Sequence, residues 1–159
     1  EQEISLLYWI TQHHPTLLSK FHKYKQINIV EIMKILRQLH VKYITFFDED
    51  YPYLLKEIYD YPFVLFYKGD KKLFLSNQTL AIVGARKCSN YTQEALQYLF
   101  PSFKEKNITI ISGLAEGADS EAHIQALKID LSTIAVLGFG HHYYYPRNLV
   151  ALRKNIEEK

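Results

Sequence analysis

The chain has 159 residues, 48% apolar, 14% aromatic and 23% charged, with 19 basic against 17 acidic groups and a formal net charge of +2. That composition excludes disordered and collagen-like chains, and the length suits one compact domain or a small module joined to part of a larger one. The single cysteine, Cys88, excludes a disulfide scaffold and a Cys-based zinc finger and fits a reducing compartment, read as the cytoplasm.

No apolar run reaches the ~20 residues of a membrane span, so a soluble protein with no membrane partner is expected. The sequence opens at Glu1, with neither an initiator Met nor a signal pattern. Residues 1–78 carry ten basic and nine acidic groups, and residues 79–159 carry nine and eight. Neither half is a basic tail, so a nucleic acid would have to be held by a few placed cations and backbone amides.

In chain order, Ile4, Leu6, Leu7 and Ile10, then Leu17, Leu18 and Phe21, recur at helical spacing on either side of Pro15 and predict two short helices. A third starts at Asn28, which can cap it while Glu31 takes the capping-box place, with Ile32, Ile35, Leu36 and Leu39 on one face. Residues 1–45 are therefore expected to form a helical module. Lys42 to Phe47 reads as β, Asp48 to Pro52 as a turn, and Phe63 to Tyr67 as a short apolar run, making 46–78 a bridging extension.

Beyond residue 78 the pattern is regular. Leu80 to Val83, Ile108 to Ile111 and Ile134 to Leu137 are β-branched runs separated by helical stretches from about Thr92 to Lys106 and Ser120 to Lys128, with a last helix near Leu149 to Glu157. Strand and helix alternate, and consecutive apolar residues in each strand predict a parallel sheet covered on both faces. The fold class is α/β. Three parallel strands leave an apolar edge unpaired, so a second half of the sheet is expected outside this chain.

None of the six glycines precedes residue 69, and each strand runs straight into one: Gly84, Gly113 and Gly138. In a parallel sheet the carboxyl ends share one edge, beside the N-termini of the following helices, where free amides favour an anion. The competing reading is that these glycines only make tight turns. Arg86, two residues past Gly84, is suited to clamp a phosphate. In the second loop, Ser112, Gly113 and Gly117 lead to Asp119, read as a helix N-cap or a ligand contact, and His123 follows one turn later, read as bonding loop backbone.

The third loop, Gly138-Phe139-Gly140-His141-His142-Tyr143-Tyr144-Tyr145-Pro146-Arg147, mixes aromatics, histidines and a cation that suit base stacking, against packing of a Tyr beneath the loop and Pro146 opening the last helix. Adjacent His141 and His142 chelate poorly, and no metal or cofactor is expected. There is no Gly-x-Gly-x-x-Gly after a strand, no Gly-Lys-Ser/Thr and no nucleophile elbow. The site reads as a binder and not as an enzyme.

Ile82-Val83-Gly84-Ala85-Arg86 with Ser89, Ile110 to Asp119 with Ala122-His123, and Ile134 to Gly140 with Tyr145-Pro146 together resemble the bacterial DNA-processing protein A (DprA, or Smf) family. Asp50-Tyr51-Pro52, Leu54-Leu55 and Phe66-Tyr67-Lys68-Gly69 resemble its approach to the same domain. The resemblance implies a Rossmann-like DNA-binding domain, of which 79–159 would be the N-terminal half, after a small sterile-alpha-motif-like helical module. It also implies a cytoplasmic protein that binds and protects incoming single-stranded DNA in natural transformation, helps to load the RecA recombinase and forms a homodimer at full length. Matching motifs give a DNA- or phosphate-binding set of Gly84, Arg86, Ser89, Ser112, Gly113, Gly117, Gly138, Gly140 and Arg147, with Asp119, His123, Tyr145 and Pro146 ordering the loops.

There are departures from the family pattern. Ala85 replaces a Ser, Glu116 stands where some members are basic, His142 stands where an Asp is common, and Asn148 falls one residue early. Members also continue past residue 159 into later strands, an Arg-Asn-Arg motif and surfaces for self-association and RecA. The alternative is a small-nucleotide-binding enzyme of a related Rossmann-like fold, similar to phosphoribohydrolases, although their Pro-Gly-Gly-x-Gly-Thr signature is absent.

Overall fold

The structure is a computed structural model that describes residues 28–158; the two helices expected before residue 28 lie outside the described residues. The chain divides into two units, Glu1–Gln38 and Leu39–Lys159. In the first unit, α1 spans Ile29–Gln38. Its start follows from Asn28, whose Oδ1 accepts the Glu31 amide at 3.2 Å and so satisfies one of the helix's unpaired donors.

The second unit opens with an antiparallel pair, β1 (Lys42–Thr45) and β2 (Val64–Tyr67), in register Lys42↔Tyr67 to Thr45↔Val64. That pairing joins residues 42–45 to the strand at 64–67. Asp48 closes the expected turn: its Oδ2 accepts from the Thr45 amide and hydroxyl, each at 2.7 Å, and those bonds hold its carboxyl below the usual range. Short α2 (Tyr53–Lys56) and a 3-10 turn at Lys71–Leu75 fill the connection. Phe46 stacks on Tyr61 and Phe63 at centroid distances of 4.8 and 5.8 Å, with the Lys56 ammonium 4.9 Å from its ring.

The three-stranded parallel sheet follows: β3 (Thr79–Ala81), β4 (Thr109–Ser112) and β5 (Thr133–Ala135), adjacent in sequence order. Helices α3 (Asn90–Glu105) and α4 (Ala118–Lys128) connect them, and α5 (Val150–Glu158) closes the chain. Leu96 and Phe100, one turn apart on α3, meet Ala122 and Ala126 of α4, with Ile110 of β4 and Leu131 beneath them. The small alanines let α4 lie close to the sheet, and this is where most of the apolar burial is gained.

Coverage of both faces is correct for β4 and wrong for β3. Leu80 and Ile82 pack into the core, whereas Thr79, Ala81 and Val83, the last 76% exposed, face solvent. The reason is topological: α3 and α4 both pack on the side of Leu80 and Ile110, leaving the opposite side of β3 uncovered. The first and third strands end two residues short of the expected runs, at Ala81 and Ala135, whereas β4 runs to Ser112 and meets Gly113 directly.

Candidate functional site

Because the three strands are parallel and adjacent, the loops at 82–89, 113–117 and 136–146 leave from one edge. The first two interlock. Gly117, at φ +83°, is the N-cap of α4, and a Cβ there would lie 2.2 Å from the Ala85 carbonyl oxygen and 2.5 Å from that of Arg86. A Cβ at Gly84 would fall 2.7 Å from that of Ala118, and the Ala118 amide donates to the Ala85 carbonyl at 3.1 Å. Only glycine permits this approach. The third loop joins through the Val136 amide, which donates to the Ser112 carbonyl at 2.8 Å.

Asp119 is not the cap, since α4 begins at Ala118 with Gly117 as its N-cap. It lies in the first turn, where Oδ2 accepts from the amides of Gly113 at 3.1 Å and Ala115 at 3.4 Å. The carboxylate therefore orders the second loop and complements the helix dipole. Leu114, in the left-handed region at φ +54°, is buried in the same loop and pins it; sequence periodicity gives no sign of that role.

Ser112 is buried, and its hydroxyl donates to the Ile82 carbonyl at 2.6 Å, fastening β4 to β3. His123 is fully buried: Nδ1 lies 2.7 Å from the Thr133 hydroxyl, which donates to the Ile110 carbonyl at 3.1 Å, and the Ser112 carbonyl of the second loop also acts on the ring. Burial pushes the imidazole down to about 4, opposed by Asp119 and the Ser112 carbonyl.

Arg86, Lys87, Cys88 and Ser89 are all exposed, and Arg86 makes no ion pair among the described residues. Ser89 is the N-cap of α3 without a side-chain capping bond. Two hollows lie away from this edge, one of about 300 Å³ between Ser76, Asn77, Gln78, Lys106 and Asn107 and one of about 660 Å³ along α1.

The third loop is held by a residue that no motif signals. Arg153, on α5 and buried, donates to the Tyr143 carbonyl at 2.6 Å, the His141 carbonyl at 3.2 Å and Glu157 at 2.7 Å. Its i,i+4 spacing to Glu157 is the one trace in the sequence. His141 reaches the Phe66 carbonyl at 3.1 Å through Nε2, which must donate, leaving Nδ1 to face Arg153 at 3.3 Å. Burial first, then Arg153 and Lys68, holds the His141 imidazole below its usual range, against the Phe66 carbonyl and Glu157.

Gly138 and Gly140 have open space around them, Tyr143 to Tyr145 are exposed, and Pro146, after a cis peptide bond, is buried ahead of the short helix Arg147–Leu149. Arg147 is exposed, and the Asn148 amide donates to Glu116 of the second loop at 3.0 Å. No group of three His, Cys, Asp or Glu among the described residues is placed to hold a metal ion, and no helix among them is long and apolar enough to cross a membrane.

Comparison with known proteins bears on these three loops. The family model of DNA recombination-mediator protein A matches residues 42–159. The chain belongs to that family. Over 100 residues it is 42% identical to the DNA processing protein DprA of Streptococcus pneumoniae, covering 63% of this chain and 35% of that protein. Over 121 residues it is 34% identical to the DprA of Bacillus subtilis, covering 76% and 41%.

The crystal structure of the pneumococcal DprA superposes with a TM-score of 0.78 at 33% identity, covering 87% of this chain and 48% of that one. A structure of DNA processing protein A from Helicobacter pylori, described for its single-stranded DNA binding mode, gives 0.64 at 27% identity over 76% and 54%. The chain thus spans between a third and about half of the length of these DprA relatives. Its α/β fold with a Rossmann-like parallel sheet is that of the DprA structures.

Proposed function

We propose that the carboxyl edge of the parallel sheet binds the backbone of single-stranded DNA, and that the protein is a DNA-binding recombination mediator and not an enzyme. The observation that carries this reading is the exposed Arg86, free of any ion pair among the described residues, on a loop locked against the N-terminus of α4 through Gly84 and Gly117. A guanidinium on a rigid loop beside helix N-termini meets a phosphate at small entropic cost. Arg147 adds a second exposed cation, and the first-loop residues from Val83 to Ser89 are exposed. The single-strand binding described for the Helicobacter pylori relative supports the choice of ligand. Against catalysis, His123 is buried and engaged with Thr133.

On the same reading the protein acts in the cytoplasm, protects incoming DNA during natural transformation and hands it to the RecA recombinase, with homodimers at full length. The recombination-mediator description of the family supports the RecA step. Fluorescence anisotropy with labelled oligonucleotides tests the ligand. Single strands should bind more tightly than duplex, affinity should fall with salt, and Arg86→Ala should cost about tenfold, since hydrogen bonds to charged groups contribute ~1.5–3 kcal/mol. Equal affinity for duplex, or indifference to Arg86→Ala, would overturn it.

A further inference from the structure

We propose that Arg153 is a positioning residue that holds Tyr144 as a stacking platform for an unpaired base, a role that rests on the single-strand reading of the carboxyl edge. Arg153 is 3% exposed, and every nitrogen of its guanidinium has a partner: Nε donates to Glu157, one terminal nitrogen to the Tyr143 carbonyl, and the other to the His141 carbonyl and toward His141 Nδ1. Its central carbon lies 4.7 Å from the centroid of the Tyr144 ring. Burying a cation in this way is costly unless its hydrogen bonds are satisfied, and here those bonds fix the plane on which one face of Tyr144 rests.

Tyr144 remains 45% exposed, so the ring keeps surface for a second aromatic plane. Tyr143 and Tyr145 are more exposed, at 66% and 61%, but neither has a guanidinium against its ring. A ring ordered before the ligand arrives loses little freedom when a base stacks on it. The loop that carries it is anchored twice more: His141 bonds the Phe66 carbonyl, and Glu157, the partner of Arg153, pairs with Lys68 at 3.5 Å. The occupant is a planar base from a single strand, because a paired base offers no free face.

The test compares an oligothymidylate with an abasic strand of equal length, titrated into the 159-residue chain by anisotropy at fixed salt. The wild type should prefer the base-bearing strand about tenfold, the worth of one stacked base. Tyr144→Leu and Arg153→Met should both bring that ratio close to one while leaving abasic binding and its salt slope unchanged. Tyr143→Leu should keep the ratio, and Arg86→Ala should weaken both strands equally. Arg153→Lys, which keeps the charge and loses the fork, should behave as Arg153→Met, covering the case in which methionine disturbs folding.

The proposal is overturned if Tyr144→Leu leaves the ratio intact, if Arg153→Met and Arg153→Lys both leave it intact, or if Tyr143→Leu abolishes it. Equal wild-type affinity for the two strands removes the platform and spares the backbone site. Binding of neither strand removes both.

Discussion

At Gly117 a single hydrogen atom separates an interlocked pair of loops from a clash. Gly117→Ala would set a Cβ 2.2 Å from the Ala85 carbonyl oxygen at a φ of +83°, and backbone cannot give way as a flexible side chain can. We expect a loss of about 2 kcal/mol or more, read as a lower urea midpoint, with weaker DNA binding because the loop bearing Arg86 shifts. His123 makes a second prediction. The folded state holds it neutral down to about pH 4, while the unfolded chain takes up the proton near 6.5. Its contribution is therefore fully present above pH 6.5, declines as pH falls between 6.5 and 4, and is flat below. The depth is about 3 kcal/mol, and subtracting the urea-unfolding pH profile of His123→Gln from that of the wild type should isolate it.

Among the elements, α4 and its preceding loop stand out because one carboxylate organises them. Asp119→Ala removes the acceptor for the Gly113 and Ala115 amides and should cost about 1–3 kcal/mol, with faster hydrogen exchange confined to those amides and the first turn of α4. How far the sequence discloses such detail depends on the range of the forces involved. The capping bond of Asn28 and the alternation of strand and helix are readable because each depends on neighbours a few residues away, and the shared edge of the loops at Gly84, Gly113 and Gly138 follows from the parallel sheet that this alternation implies. The placement of Ser112, the inward turn of His123 toward Thr133 and the bonds of Arg153 to the third-loop carbonyls are not, because their partners are ten or more residues distant. α2 and the 3-10 turn at Lys71–Leu75 escape for another reason: segments of four and five residues carry no period to detect.

Taken as a whole, the Leu39–Lys159 unit is lopsided about its sheet. Ile110, with no exposed surface, lies under both α3 and α4, and Ile110→Ala should cost about 2–5 kcal/mol. Val83, at the carboxyl end of β3 and 76% exposed, should accept Val83→Thr within about 0.5 kcal/mol. Thermal denaturation of the pair measures the asymmetry directly. The hairpin at the other flank is bound in through Lys68 to Glu157 and His141 to Phe66, so strain there reaches the third loop.

Gly138 and Gly140 lie on that loop with no atom within 4 Å of a would-be Cβ and with no left-handed φ. Alanine at either place meets no steric objection and restricts the unfolded chain, a change of the kind that raises stability by about 0.4–1 kcal/mol per site. The chain therefore forgoes rigidity it was at liberty to take. If a protein engineer hardened both positions, heat resistance should rise while ligand uptake fell, a divergence between durability and service that singles out clearance over the loop, and not its shape, as what these two glycines maintain.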